Sequence, residues 1–545
     1  MGSIISETSS YSMVLILAAF LLIDVFVFFL KKPEKYRAIY FIQTLLVVAF
    51  HAVGYITLYV RDGDIRYFFF FAFQEIILFA IALIYRTVYR HMSHLLLNNM
   101  LMLIFIGFVI LGRLAFDNAV RQFVITIIAF AISMIVPLFI LKISKLKKMT
   151  YVYAGIGIFL LGAVWLTGAV TNGSRLAFRV FGMSFQSAEF VKISLVFFNA
   201  DILSDRKNKY RYWISGLFTV IHVILLVLSR DLGSACIYCG TYLLMLFLAN
   251  RNILTLLVGA AGGCAASVLA YKMFSHVRVR VQTWLDPWGD MDNKSYQLSQ
   301  SLFAIGTGEY FGMGLLRGNP YSIPYVNEDF VFSAIAEELG VVFSILLIIL
   351  YLFIILHVLR MSFRVKDEFH SLVLAGCAVT LGIQVFLTIG GGSRLVPLTG
   401  VTLPMISMGG SSLTATILMF SVLHGIYIKE FTDYEAYENA EQSSVSEDTI
   451  ELIDLDEVDE MPVPAKDRPK TQEPAVRLFP EEDSGIVTQD TIVVARKPEV
   501  KQPLGNVPEE KIMQERKETL RQEDMLKKET DWEHEDFQGD YRKDW

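Results

Sequence analysis

Charge is scarce in this chain. Asp, Glu, Lys and Arg make up 19% of its 545 residues, where an ordinary soluble domain carries about a quarter, which excludes a conventional water-facing surface over most of the length. Cysteine is scarcer still. The four present, Cys236, Cys239, Cys264 and Cys377, all fall in apolar stretches, so the C-x-x-C at Cys236 and Cys239 reads as buried structural cysteine rather than a zinc or redox motif. No cleavable signal peptide is expected, because residues 1 to 10 carry no basic cluster and the apolar run that follows is about 20 residues, long enough to span. No glycine spacing matches a dinucleotide fingerprint or a Walker loop, which argues against a nucleotide site.

Apolar residues are abundant: 54% of the chain is hydrophobic and the mean hydropathy is +0.48. The composition is that of an all-α polytopic membrane protein. Apolar runs of spanning length lie near 11–30, 38–60, 67–89, 95–116, 120–141, 150–170, 187–204, 212–229, 231–250, 252–274, 330–360, 370–390 and 402–428, giving about thirteen transmembrane helices. Basic residues mark alternate loops: Lys31, Lys32, Lys35 and Arg37; Arg86 and Arg90; Lys142 to Lys148; Arg206 to Arg211; Arg360 and Arg364. By the positive-inside rule those loops are cytoplasmic, which places the N-terminus and the loop of residues 275–329 outside and the C-terminus inside.

Three regions are expected: extra N-terminal helices over 1–94, a core over 95–430 and a tail over 431–545. Residues 431–465 hold twelve Asp or Glu and no Lys or Arg, so the tail reads as mostly disordered, with one Glu/Lys/Arg-rich stretch near 508–532 as a possible short docking helix.

Ionisable groups at membrane depth are costly and mark functional sites by default. The stretch IPYVNEDFVFSAIAEELG places Glu328 and Asp329 where the outer loop re-enters an apolar span, and Glu337 and Glu338 about two and a half turns further in. Asp329 at a helix start has the macrodipole favouring its charge and burial opposing it, a balance suited to a general base. Its bland alternative is an N-terminal cap. For Glu337 and Glu338 the choice is between a proton or cation path and pairing with a basic residue of another helix.

Glu189 and Lys192 fall three apart on one helix face and can pair. Arg230 and Asp231 mark an outer helix junction, and Arg175 and Arg394 suit phosphate oxygens, which a guanidinium binds bidentately. In VRVRVQTWLDPWGD, Arg278, Arg280, Trp284 and Trp288 either hold an anionic head group or form an aromatic belt with snorkelling arginines. The following segment, with Gln297 and Gln300 and glycines at 306, 308, 312, 314 and 318, looks like a re-entrant binding loop whose glycines let backbone approach a ligand or turn tightly.

Taken together, NGSRLAFRVFGMSFQSAEFVK, SRDLGSA, WLDPWGDMDNKSYQLSQSLFAIGTGEYFGMGL, IPYVNEDFVFSAIAEELG and PLTGVTLPMISMGGSS resemble, in order, the signature blocks of the SEDS family (RodA, FtsW, SpoVE). The resemblance spans about residues 95–430. It implies a core of ten transmembrane helices and an inverting peptidoglycan glycosyltransferase that polymerises lipid II at the outer face of the cytoplasmic membrane, in elongation, division or sporulation. It also implies a class B penicillin-binding protein as transpeptidase partner, contact with membrane lipid and no nucleic acid. Asp329 falls on the family's catalytic aspartate and Arg175 on its loop arginine. Arg175, Arg394, Lys192 and Gln300 are then candidates for the lipid diphosphate or sugar, helped by a divalent cation (Mg or Mn), with Glu189, Asp231, Glu337 and Glu338 in support. Departures at Tyr325, Asn327, Glu328, Arg230 and Met408 suggest a divergent member. The rivals are a flippase for lipid-linked precursors, which needs charge through the membrane, and a non-catalytic scaffold for a transpeptidase.

Overall fold

The computed structural model describes residues 2–30, 37–89, 91–142, 149–171, 174–180, 183–430 and 432; the expected tail and its docking helix lie outside them. The described residues form sixteen α-helices. These are α1 Gly2–Phe29, α2 Arg37–Asp62, α3 Ile65–Val88, α4 His94–Leu114, α5 Phe116–Ser133, α6 Val136–Lys142, α7 Thr150–Thr167, α8 Ser187–Ser204, α9 Arg211–Leu228, α10 Leu232–Asn250, α11 Ile253–Met273, α12 Ser275–Leu285, α13 Tyr296–Thr307, α14 Val331–Arg364, α15 Glu368–Gly392 and α16 Gly410–Glu430. Between α7 and α8 three short antiparallel strands, β1 Ala169–Thr171, β2 Ser174–Val180 and β3 Met183–Phe185, form a sheet in the order β1-β2-β3. That sheet is a departure from the all-α expectation, confined to a loop where strand pairing satisfies the backbone locally.

Twelve of these segments are long and apolar enough to cross a membrane, α5 and α6 counting as one. They break at residues 134–135, where Pro137 in the first turn of α6 supplies no backbone donor. The thirteenth expected span, α8, has 18 residues but is too polar to join the twelve. Its Glu189, Lys192, Asn199 and Asp201 are buried and bonded to neighbours: Lys192 to Gln384 of α15 at 2.7 Å, and Asn199 to Thr219 of α9 at 3.3 Å. An interior helix can carry polar groups that a lipid-facing one cannot.

Helix α4 is apolar on all sides and buried along its whole length, the pattern of a helix at the centre of a bundle. Hydrophobicity alone does not join helices in lipid, so polar side chains do the stitching. Gln43 of α2 donates to Asp24 of α1 at 2.8 Å, and Asn98 of α4 donates to the Tyr40 carbonyl at 3.0 Å. Helix α1 also reaches the segment before α14, where Ser6 Oγ donates to the Leu315 carbonyl, Glu7 pairs with Arg317, and Tyr11 meets Phe311 at 5.4 Å. At the periphery, α11 buries no residue.

Helix α14 is two helices joined at Gly340, whose backbone (φ 87°, ψ 171°) is open essentially to glycine alone. The break frees backbone groups, and the chain after α13 fills it. Val341 and Val342 N–H donate to Glu309 and Tyr310, while Met313 and Gly314 N–H donate to Glu337 and Glu338, all at 2.9 to 3.0 Å. A Cβ on Gly312 would lie 2.3 Å from the Glu338 carbonyl oxygen. The glycine-rich stretch read as a ligand-approaching loop is thus corrected: at Gly308 and Gly312 the close approach is to the backbone of α14 itself.

Candidate active site

Asp329 lies two residues before α14, and Phe330 holds the N-cap position with no side-chain cap bond, so capping does not explain Asp329. Its backbone is fixed from two sides. Asp329 N–H and Glu328 N–H donate to the Tyr325 carbonyl at 3.2 and 3.0 Å, in a turn that Tyr325 enters with φ of 59°. The segment between α15 and α16 holds the other side: Met408 N–H donates to the Asn327 carbonyl at 2.7 Å and Ser407 Oγ to the Glu328 carbonyl at 2.5 Å. Gln122 of α5 clamps that segment in turn, donating to the Ser407 carbonyl at 2.8 Å and accepting from Gly409 N–H at 3.1 Å. Met408 contributes backbone here, so its departure from the family tyrosine leaves this clamp untouched.

Of the two adjacent carboxylates, Glu328 is exposed and Asp329 partly buried. Asp329 and Arg280 of α12 both approach Gly400: a Cβ built on Gly400, itself at φ 74°, would stand 3.4 Å from Arg280 Nη2 and 3.6 Å from Asp329 Oδ2. Burial and the neighbouring Glu328 charge push the Asp329 carboxyl up to about 6, against a smaller pull downward from Arg280. A carboxylate so placed is ionised at neutral pH yet basic enough to accept a proton. Arg280 in turn donates to the Thr399 carbonyl at 2.8 Å and feels Asp231 as well as Asp329. Asp231 caps α10, accepting Ser234 N–H at 3.0 Å and Gln186 Nε2 at 3.4 Å, and its carboxyl is raised by burial.

Arg280 was legible only as one member of an Arg/Trp mixture. The available signal was spacing: Arg280 and Trp284 stand four apart on α12, on one face, and both bond the backbone after α15, Trp284 Nε1 donating to the Arg394 carbonyl at 3.0 Å. Between head-group holder and aromatic belt, Trp284 is a docking residue. Arg394 completes that dock, its Nε and Nη2 donating to the Trp284 and Leu285 carbonyls at 3.0 and 2.9 Å. Two of its donors are therefore engaged in holding α12 rather than offered to a phosphate.

The other expected residues are distributed as follows. Lys192 Nζ bonds Glu189 at 2.5 Å and Gln384 at 2.7 Å, all three buried. Arg113 of α4 pairs with Glu338 at 3.0 Å, and Glu337 Oε1 accepts Asn319 N–H at 2.8 Å while its Oε2 is buried without a partner. Of these charges, Arg113 and Glu338 pair across helices, while Lys192 and Glu189 pair within α8. Gln300 lies on α13 with no hydrogen bond among the described residues. Arg175 lies on β2 opposite Val170, but its side chain is outside the described part. Buried polar atoms without partners gather on the segments around Arg280: Asn327 Oδ1, Thr399 Oγ1, Thr402 Oγ1 and His276 Nε2.

A family profile described as Cell cycle protein, covering FtsW, RodA and SpoVE, matches residues 109–431. The chain is 35% identical over 341 residues to the peptidoglycan glycosyltransferase RodA of Mycobacterium bovis, covering 57% of this chain and 71% of the relative. It is 32% identical to the stage V sporulation protein E of Bacillus subtilis, covering 47% of this chain and 72% of that protein. A solved structure described as a peptidoglycan synthase complex that coordinates polymerization and crosslinking superposes with a TM-score of 0.54 at 27% identity, over 62% of this chain and 98% of the matched one.

Proposed function

The chain belongs to the FtsW/RodA/SpoVE family, and from that premise we propose that it is a peptidoglycan glycosyltransferase polymerising lipid II, with Asp329 as its base. The observation that carries this reading is the juxtaposition of a partly buried carboxylate with Arg280 beside Gly400, in the loop cluster formed by α12, the start of α14 and the segment after α15. Asp329 takes the proton from the C4 hydroxyl of the acceptor's GlcNAc. That oxygen attacks the anomeric carbon of the donor MurNAc, the C–O bond to diphosphate breaks on the opposite face, and undecaprenyl diphosphate leaves with the bonding pair.

Arg280 has two roles in this scheme. It keeps Asp329 ionised against burial, and its remaining donors supply positive charge for the head group, the kind of fixed electrostatic stabilisation that dominates such transfers. Among the described residues no three His, Cys, Asp or Glu side chains gather to hold a metal. A divalent cation, were one to act here, would rely mainly on the substrate's own diphosphate oxygens and would supply positive charge for the leaving group.

The site lies at one end of the bundle, while Arg86, Lys142, Arg206, Arg211 and Arg360 mark the helix ends expected opposite it, which supports an outward-facing site and a cytoplasmic C-terminus. A transpeptidase of the class B penicillin-binding type is the proposed partner, in keeping with the crosslinking complex that the core resembles. Incubating the purified full-length protein with lipid II, alone and with such a partner, tests the reading. Glycan strands resolved by gel are expected, and their absence under both conditions would overturn it.

A further inference from the structure

Helices α2, α3 and α4 border an open cavity of about 610 Å³ at the membrane end opposite Asp329, lined among the described residues by Arg37, Tyr40, Phe41, Arg86, Thr87 and His94. That volume is within the range of ligand sites. Two guanidiniums line it, with the neutral His94 imidazole as a further polar group, and no carboxylate pairs with Arg37 or Arg86 among the described residues. Arg86 gives Nη2 to Thr44 Oγ1 at 3.0 Å and to Asn98 Oδ1 at 2.9 Å, and its buried Nε has no partner. A desolvated guanidinium with a spare donor and no counter-ion is short of an anion.

A second crevice shares Arg86 and runs inward from it between α2 and α3, past Val47, Val48, Leu78, Phe79 and Leu83, as far as Glu75. Its walls are apolar, and it opens sideways at Phe79 and Leu83, 54% and 53% exposed on flanks that face lipid. Glu75 closes the inner end, bonded to buried His51 at 2.8 Å. Arg86 and Glu75 are eleven residues apart on one helix, roughly 16 Å at the helical rise, about half of the ~30 Å hydrocarbon thickness. The crevice itself is narrow, about 30 Å³, so an acyl chain would lie along its open, lipid-facing side at Phe79 and Leu83 rather than inside it.

We infer that the extra N-terminal helices bind an anionic phospholipid of the cytoplasmic leaflet, its phosphate in the Arg37/Arg86/His94 cavity and one acyl chain along the α2–α3 crevice. A free phosphate would use the cavity but leave the crevice unexplained, whereas a lipid uses both in the order the membrane imposes. Basic pockets between helices at the cytoplasmic surface have this use in general. The inference concerns residues remote from Asp329 and is independent of the polymerase reading.

Native mass spectrometry of the full-length protein, titrated with phosphatidylglycerol and with phosphatidylcholine, tests it. One phosphatidylglycerol should be retained per chain with at least about tenfold preference over phosphatidylcholine, and Arg37→Gln with Arg86→Gln should abolish the preference. If the double variant fails to insert, Arg37→Gln alone, at an exposed position, should weaken the preference severalfold. Equal retention of both lipids, or an unchanged preference in Arg37→Gln and the double variant, would overturn the site. Complete displacement of phosphatidylglycerol by millimolar glycerol phosphate would overturn its assignment to a lipid.

Discussion

Replacing Arg280 by Gln removes the positive charge facing Asp329 while keeping a donor for the Thr399 carbonyl. Asp329 then loses the one influence that holds its carboxyl down, so that it rises above about 6, and the acid limb of the rate profile should move up by about one pH unit. Because the base acts ionised, the fraction available at pH 6 drops from about one half to about one tenth, roughly fivefold, while at pH 7 it drops only about twofold and at pH 8.5 hardly at all. Steady-state polymerisation of lipid II from pH 5.5 to 8.5 reads this directly. A defect of the same size at every pH would mean that Arg280 acts only on the head group or the fold. A wild-type acid limb below about 5 would contradict the burial argument for Asp329.

Glu338→Gln leaves Arg113 buried and unpaired and should cost about 3 to 5 kcal/mol, seen as a clear drop in the melting temperature of the detergent-solubilised protein; the Arg113→Met, Glu338→Gln pair should recover much of it. Gly340→Ala forces a side chain into a glycine-only conformation and sets its Cβ 2.3 Å from Gly312 N, so thermal stability and polymerisation should fall together; retention of both would refute the account of the α14 break. In a cysteine-free background, an impermeant thiol reagent on intact cells should label a cysteine at Asn293 and spare one at Ser444, and the reverse pattern would invert the proposed topology.

The helical spans were legible because spanning length and apolar content are properties of sequence alone, and α8 shows where that reasoning weakens: its charges are tolerated by neighbours that only the fold reveals. Asp329 was legible from its place at the re-entry of a loop. The role of Arg280 was not, since its partner lies 49 positions away and its anchor, the Thr399 carbonyl, is a backbone atom that no side-chain pattern reports. The dock of Arg394 was hidden for the same reason: guanidinium chemistry suits phosphate, but two of its donors go to the carbonyls of Trp284 and Leu285. The glycines before α14 signalled close approach, while the surface approached, the Gly340 break, lay 34 residues downstream of the first of them.

The central claim is tested most directly by Asp329→Asn against Glu328→Gln in lipid II polymerisation. The Asp329 carboxyl is raised from 3.8 to about 6 in the fold, so its contribution to stability is full below 3.8 and lost as pH rises through 6, a burden of up to roughly 3 kcal/mol at neutral pH. Asparagine carries no such burden, so the Asp329→Asn protein should melt at or above the wild-type temperature and yet make no glycan strands, while Glu328→Gln keeps most activity. An Asp329→Asn protein that polymerises lipid II at near the wild-type rate would contradict the account, and a Glu328→Gln protein that alone is inactive would move the base by one residue.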